Sequence, residues 1–102
     1  MMRVENIISN NGNMIPNQFV IDQGDKVTFQ SYRSQIIDID YTNKELVVYP
    51  DYAYSRTTGK YRNKFLDDQG FYEVADLQSL NKAIKDGKVS IRGTEWKVRE
   101  SC

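Results

Sequence analysis

The segment Asp51–Leu66, DYAYSRTTGKYRNKFL, gathers most of what this chain offers for binding chemistry. Between Asp51 and Asp67 it carries Arg56, Lys60, Arg62 and Lys64 and no acidic residue, with Tyr52, Tyr54, Tyr61 and Phe65 interleaved. Ser55, Thr57 and Thr58 stand just ahead of the basic run. Grouped in this way, these side chains suit an anion, above all a phosphate, which Arg56 can hold by two parallel hydrogen bonds. If Ser55 caps a helix running to about Leu66, with Thr57 or Thr58 as alternative caps, its first turn adds unpaired N–H groups and a positive field. Lys60 and Asn63 continue the face of Arg56 by one and two turns. At about 100° per residue, Tyr54, Thr58, Tyr61 and Phe65 share the other face. The plain structural alternative is a solvated helical face with those aromatics in the core.

No catalytic constellation accompanies this segment. The chain has no histidine, which removes the commonest general base and the commonest metal ligand together. Serine–histidine and cysteine–histidine sites are thereby excluded within one chain, as are the usual zinc sites. Asp38 and Asp40 stand two apart and share a strand face, a spacing that suits a hard cation. The simpler expectation for them is the solvated side of a half-buried strand. Asp67 and Asp68 suit a helix C-terminus poorly, so the helix is expected to stop before them. The reading is a protein that is not an enzyme, with no cofactor and no metal.

Phe29-Gln30-Ser31-Tyr32 is a second candidate. Val27, Phe29 and Ser31 alternate onto one face, which leaves Tyr32 beside Gln30 on the other, where an aromatic can stack a base. Packing across the strands is the bland alternative. Trp96 is expected to seal an edge of the core, with its N–H satisfied locally.

The elements that must position these residues fall into two halves. Met2–Ile8, Asn17–Asp22, Lys26–Tyr32, Gln35–Asp40 and Glu45–Tyr49 read as strands. Asn10-Asn11-Gly12-Asn13, Gln23-Gly24-Asp25 and Thr42-Asn43-Lys44 mark the turns, and Pro50 ends the pattern. After the basic segment, whose Gly59 weakens its helix by about 1 kcal/mol, Asp76 caps a second helix. Leu77, Leu80, Ala83 and Ile84 form its apolar stripe, and Gly87 closes it. Lys88–Ile91 and Glu95–Val98 make a last hairpin across Gly93-Thr94. The expectation is a single α+β domain over residues 1–102: a mainly antiparallel sheet of about five to seven short strands, with two helices on one side.

Composition bounds the function classes. Hydrophobic residues at 39% are too many for a disordered chain, and 14 basic residues balance 14 acidic ones, so nucleic acid is not expected as a partner. The one cysteine, Cys102, allows no internal disulfide and fits a reducing cytosol. The N-terminus carries Glu5 and Asn6 within its apolar stretch, unlike a signal peptide, and no run approaches the roughly 18 apolar residues of a membrane span. A cytoplasmic protein is expected.

The residues NQFVI, FQSYRSQI and DYAYSRTTGKYRNKFL, spread from Asn17 to Leu66, resemble a family of small bacteriophage and mobile-element proteins. That family has the pattern NQF[IV]I, FQSYxSxIA and DYSxTTxKYRxxFL, and most of its members have no assigned activity. The chain is also similar to the phage anti-Thoeris sponges, small oligomeric proteins that capture cyclic ADP-ribose-type signals with an aromatic and arginines. This resemblance implies Phe29 as the stacking aromatic and Arg56 as the phosphate-binding arginine. Lys60 stands where a second arginine belongs, and a lysine cannot give bidentate recognition.

The resulting expectation is a phage-type counter-defence protein that sequesters a phosphate-containing nucleotide signal, cyclic ADP-ribose-like or a cyclic oligonucleotide. Its ligand set is Phe29, Ser55, Arg56, Thr57, Thr58, Lys60 and Asn63, in a pocket preformed or completed by a second subunit of a homo-oligomer. The rival expectation is a protein-binding inhibitor of a host defence effector, anti-CRISPR-like, acting through Tyr52, Tyr54 and Tyr61.

Overall fold

The computed structural model describes residues 2–101, and Cys102 lies outside them. Strands β1 (Arg3–Ile8), β2 (Met14–Asp22), β3 (Lys26–Ser31), β4 (Ser34–Asp40) and β5 (Glu45–Val48) form the antiparallel meander that the turn signals predict. A 3-10 turn at Pro50–Ala53 leads into helix α1 (Arg56–Asp68). A second such turn at Tyr72–Val74 precedes helix α2 (Leu77–Asp86), and β6 (Lys88–Ile91) with β7 (Thr94–Glu100) closes the chain.

All seven strands belong to one sheet in the order β1-β2-β3-β4-β5-β7-β6. The last hairpin does not stand apart. β7 joins β5 in parallel, with Leu46 opposite Val98, after a crossover that contains both helices. The architecture is therefore α+β, as the sequence implies, with one parallel junction in an otherwise antiparallel sheet.

Registers explain the core. Val27, Ile39, Leu46 and Val98 align across four strands, and Phe29, Ile37 and Val48 form the next row. Phe65, Leu66, Leu80 and Ala83 from the helices join them in one buried cluster, so both helices cover the same face. Trp96 closes the far edge, with its ring 4.9 Å from Phe71 and 5.7 Å from Tyr41, both edge-on. Among the described residues, no helix is long and apolar enough to cross a membrane.

Two local outcomes differ from expectation. Helix α1 continues through Asp67 and Asp68 rather than stopping before them, and Lys64 pairs with Asp68 at 3.3 Å one turn back. Asp38, expected in water, is buried on the helix-free face, accepting from Thr28 Oγ1 at 2.5 Å and from Tyr49 OH at 2.6 Å. Asp40 shares that face but is committed elsewhere, accepting from the amide and side chain of Asn43, so the two carboxylates do not act as a pair. Gln18 is fully buried in β2, and neither atom of its amide group has a hydrogen-bond partner.

Candidate functional site

Ser55 begins α1 as the sequence suggests. Its backbone is extended, its hydroxyl accepts from the Thr58 amide at 3.1 Å, and its carbonyl accepts from Gly59 at 2.9 Å. The amides of Arg56 and Thr57, at the first two helical positions, are left without intrahelical partners. Two concavities flank this end of the helix, and Ser55 and Thr57 line both.

The first is a basic groove of about 590 Å³ between α1 and the start of α2. Arg56, Lys60, Arg62 and Asn63 line it with Ala53, Gly59 and Leu77, and no acidic residue contributes. Arg62 lies at its bottom, only 2% exposed. The guanidinium donates from Nη1 to the carbonyl oxygen of Tyr52 at 2.6 Å, and from Nη2 and Nε to Asn63 Oδ1 at 2.8 and 3.2 Å. Burial lowers its pKa from the usual arginine value, but an arginine stays protonated in a folded protein. Among the described residues no carboxylate pairs with Arg56, Lys60 or Arg62. Asp76 lies beyond ion-pair distance, but its charge acts on Arg62 and favours the protonated guanidinium. Arg56, Lys60 and Arg62 together give the groove a positive lining.

The second concavity is larger, about 800 Å³, and lies between the β3–β4 turn and the start of α1. Ser31, Tyr32, Arg33 and Ser34 line one side, and Asp51, Tyr54, Ser55, Thr57 and Thr58 line the other. A register shift opposite Phe29 and Gln30 adds Ile36 to its wall. Hydroxyls bind the two sides together: Ser31 and Thr58 approach to 3.3 Å, and Ser55 donates to Thr58 at 3.2 Å. Ser34 donates to Asp51 at 2.9 Å.

Of the residues singled out from the sequence, Ser55, Arg56, Thr57, Lys60 and Asn63 meet in the basic groove, and Thr58 lies in the second cleft. Phe29 is in neither. It is fully buried, and its ring stacks on Phe65 at 5.6 Å, so it has no face to offer a ligand and its stacking role is corrected. The alternation of β3 puts it squarely over the helix layer. Tyr52 and Tyr61 are half-buried against the core, Tyr52 donating to Asn81 at 2.7 Å and Tyr61 lying 5.3 Å from the Lys60 ammonium. Tyr54 instead is 79% exposed, outside the helix whose core face it was expected to share. The three tyrosines therefore do not make one exposed patch.

Tyr32 is not on the open sheet face either. The strand ends at Ser31, and Tyr32 sits in the turn with φ 55°. Arg33, Ser34 and Arg62 line these concavities without being among the expected ligands, whereas Tyr32, expected to stack a base from the sheet face, reaches the second cleft from the turn instead. Arg62 follows Thr58 by four residues, the spacing that stacks side chains on one helix face, and Thr58 is itself buried.

Residues 2–83, from β1 into α2, match DUF8033, a family of unknown function, and the chain belongs to that family. No curated protein and no solved structure matches it.

Proposed function

We propose that this member of the DUF8033 family is a non-enzymatic binding protein that holds a phosphate-bearing nucleotide signal on the basic flank of α1. Sequestering the signal in the cytosol would be its action, as a phage-type counter-defence factor. One observation carries the reading: Arg62 is buried at the bottom of a groove to which Arg56 and Lys60 add two more cations, and among the described residues none of the three has a carboxylate within ion-pair distance. The adjoining helix start supplies the Arg56 and Thr57 amides, and Ser55 and Thr57 supply hydroxyls. The absence of histidine and the lack of any acid–base pair in the groove favour capture over turnover. Sequestration requires sub-micromolar affinity, more than about 8 kcal/mol, which charge-assisted bonds in a preformed groove can supply.

The test is a thermal-shift screen of the pure protein against ADP-ribose, its cyclic isomers, and cyclic di- and trinucleotides. A rise of several degrees with one of them, lost in Arg56→Ala, is the expected result. A flat screen overturns sequestration.

A further inference from the structure

We infer that the cleft between the β3–β4 turn and the start of α1 is the subsite for a nucleobase and its ribose. The ligand of the basic groove is then a nucleoside phosphate whose base lies against Tyr32 and Tyr54. The inference rests on the phosphate reading above and adds the part of the ligand that carries its identity.

Its first ground is the pair of aromatic rings. Tyr54 is 79% exposed and Tyr32 58%, and both line this one cavity. Aromatic rings left in water at a cleft are what stacking on a heterocycle requires, and they displace the buried Phe29 from that role. Tyr32 is also held in place. Its amide donates to the Asn17 carbonyl at 2.6 Å, and its own carbonyl accepts from Gln30 Nε2 at 2.8 Å. These bonds fix a bulky side chain in the left-handed backbone region, where such residues are outliers.

The second ground is continuity. Ser55 and Thr57 line both concavities, so a molecule lying across the start of α1 passes from the cations of one to the rings of the other. At about 800 Å³ the cleft is within the range of small-molecule sites and has room for a nucleoside. Its polar groups suit a ribose: Asp51, which takes one bond from Ser34, keeps acceptor capacity for a sugar hydroxyl. Arg33 adds a further donor at the rim.

Calorimetric titrations with ADP, ribose 5-phosphate and pyrophosphate test this in the wild type, Tyr54→Ala, Tyr54→Phe and Tyr32→Asn. Asparagine is chosen at position 32 because it tolerates the left-handed backbone. Expected is tighter binding of ADP than of either base-free ligand. Tyr54→Ala and Tyr32→Asn should each weaken ADP by about 5- to 150-fold, as loss of one stacking ring does, and leave pyrophosphate unchanged. Tyr54→Phe, which keeps the ring, should bind ADP as the wild type does. If ADP and pyrophosphate bind alike, or the tyrosine variants weaken both equally, the base subsite is wrong while the phosphate reading stands. If ribose 5-phosphate matches ADP, the cleft reads the sugar alone and the stacking role fails. If neither pyrophosphate nor ADP binds, the phosphate reading fails and the subsite with it.

Discussion

A methyl group placed on Gly59 would stand 3.7 Å from Nη1 of Arg62 and 3.8 Å from Nη2. The one bare stretch of backbone in α1 thus lies over its one buried guanidinium. Glycine inside a helix is unfavourable, and here it leaves the backbone bare beside Arg62, on the groove where we propose that an anion is held.

Gly59→Ala separates stability from function. The added Cβ meets only ordinary van der Waals distances, so the variant should be more stable by about 1 kcal/mol in urea unfolding. Pyrophosphate binding should weaken, because the methyl covers the guanidinium. A variant that is more stable and binds equally well would show that the glycine has no part in the site.

Phe29→Leu should lower stability by up to about 1.5 kcal/mol, since it trims a ring stacked on Phe65 in the core. Nucleotide affinity should not change. An affinity loss larger than the stability loss would return Phe29 to the binding role that its burial denies it.

Much of this fold is legible in the chain, because its signals are local. Asp76 accepts from the Ser79 amide at 2.8 Å and Gly87 takes the left-handed cap at φ 73°, both as their positions around an apolar stripe indicate. Ser55 likewise caps α1. The parallel junction of β5 with β7 is not legible, because no turn encodes it and both helices separate the two strands in sequence. The site is half legible for a similar reason. Its hydroxyls and cations are contiguous in sequence, but Ser31 and Thr58 meet across 27 residues. Arg62 eludes a reading in which charge implies solvent. Its stem runs along the buried face with Thr58, and backbone and amide oxygens receive its head.

Gln18 predicts a gain. Its buried amide has no partner, and such a group costs about 1–3 kcal/mol. Gln18→Leu should therefore match or exceed the wild type in urea unfolding. A loss of more than about 1 kcal/mol would mean that the amide is satisfied in solution.

Alkaline pH should destabilise the protein through Tyr49. Burial, then the hydrogen bond to Asp38, pushes its pKa up from the ordinary 10.0 to about 12. The unfolded chain loses that proton first, so the contribution is complete below pH 10.0 and is lost as pH rises towards about 12. Burial raises Tyr41 in the same direction. Tyr49→Phe should flatten this slope and cost about 1–3 kcal/mol at neutral pH, because Asp38 keeps only Thr28 as a donor. On the acid side, hydrogen bonds from Asn43 hold Asp40 below its usual value, and those from Ser79 do the same for Asp76. Their contribution is present above pH 3.8 and is lost as pH falls through the lowered values. Denaturant midpoints measured across pH would show both limbs, and an alkaline limb unchanged in Tyr49→Phe would contradict the assignment.

The most direct test of phosphate capture is a calorimetric titration with pyrophosphate at fixed ionic strength, wild type against Arg56→Ala. Arg56 is exposed and unpaired among the described residues, so its removal should leave the fold intact. Saturable binding by the wild type, weakened at least about tenfold by the substitution while the unfolding midpoint stays put, is the expected result. No binding by the wild type, or equal binding by both proteins, would contradict the claim that the basic flank of α1 is an anion site.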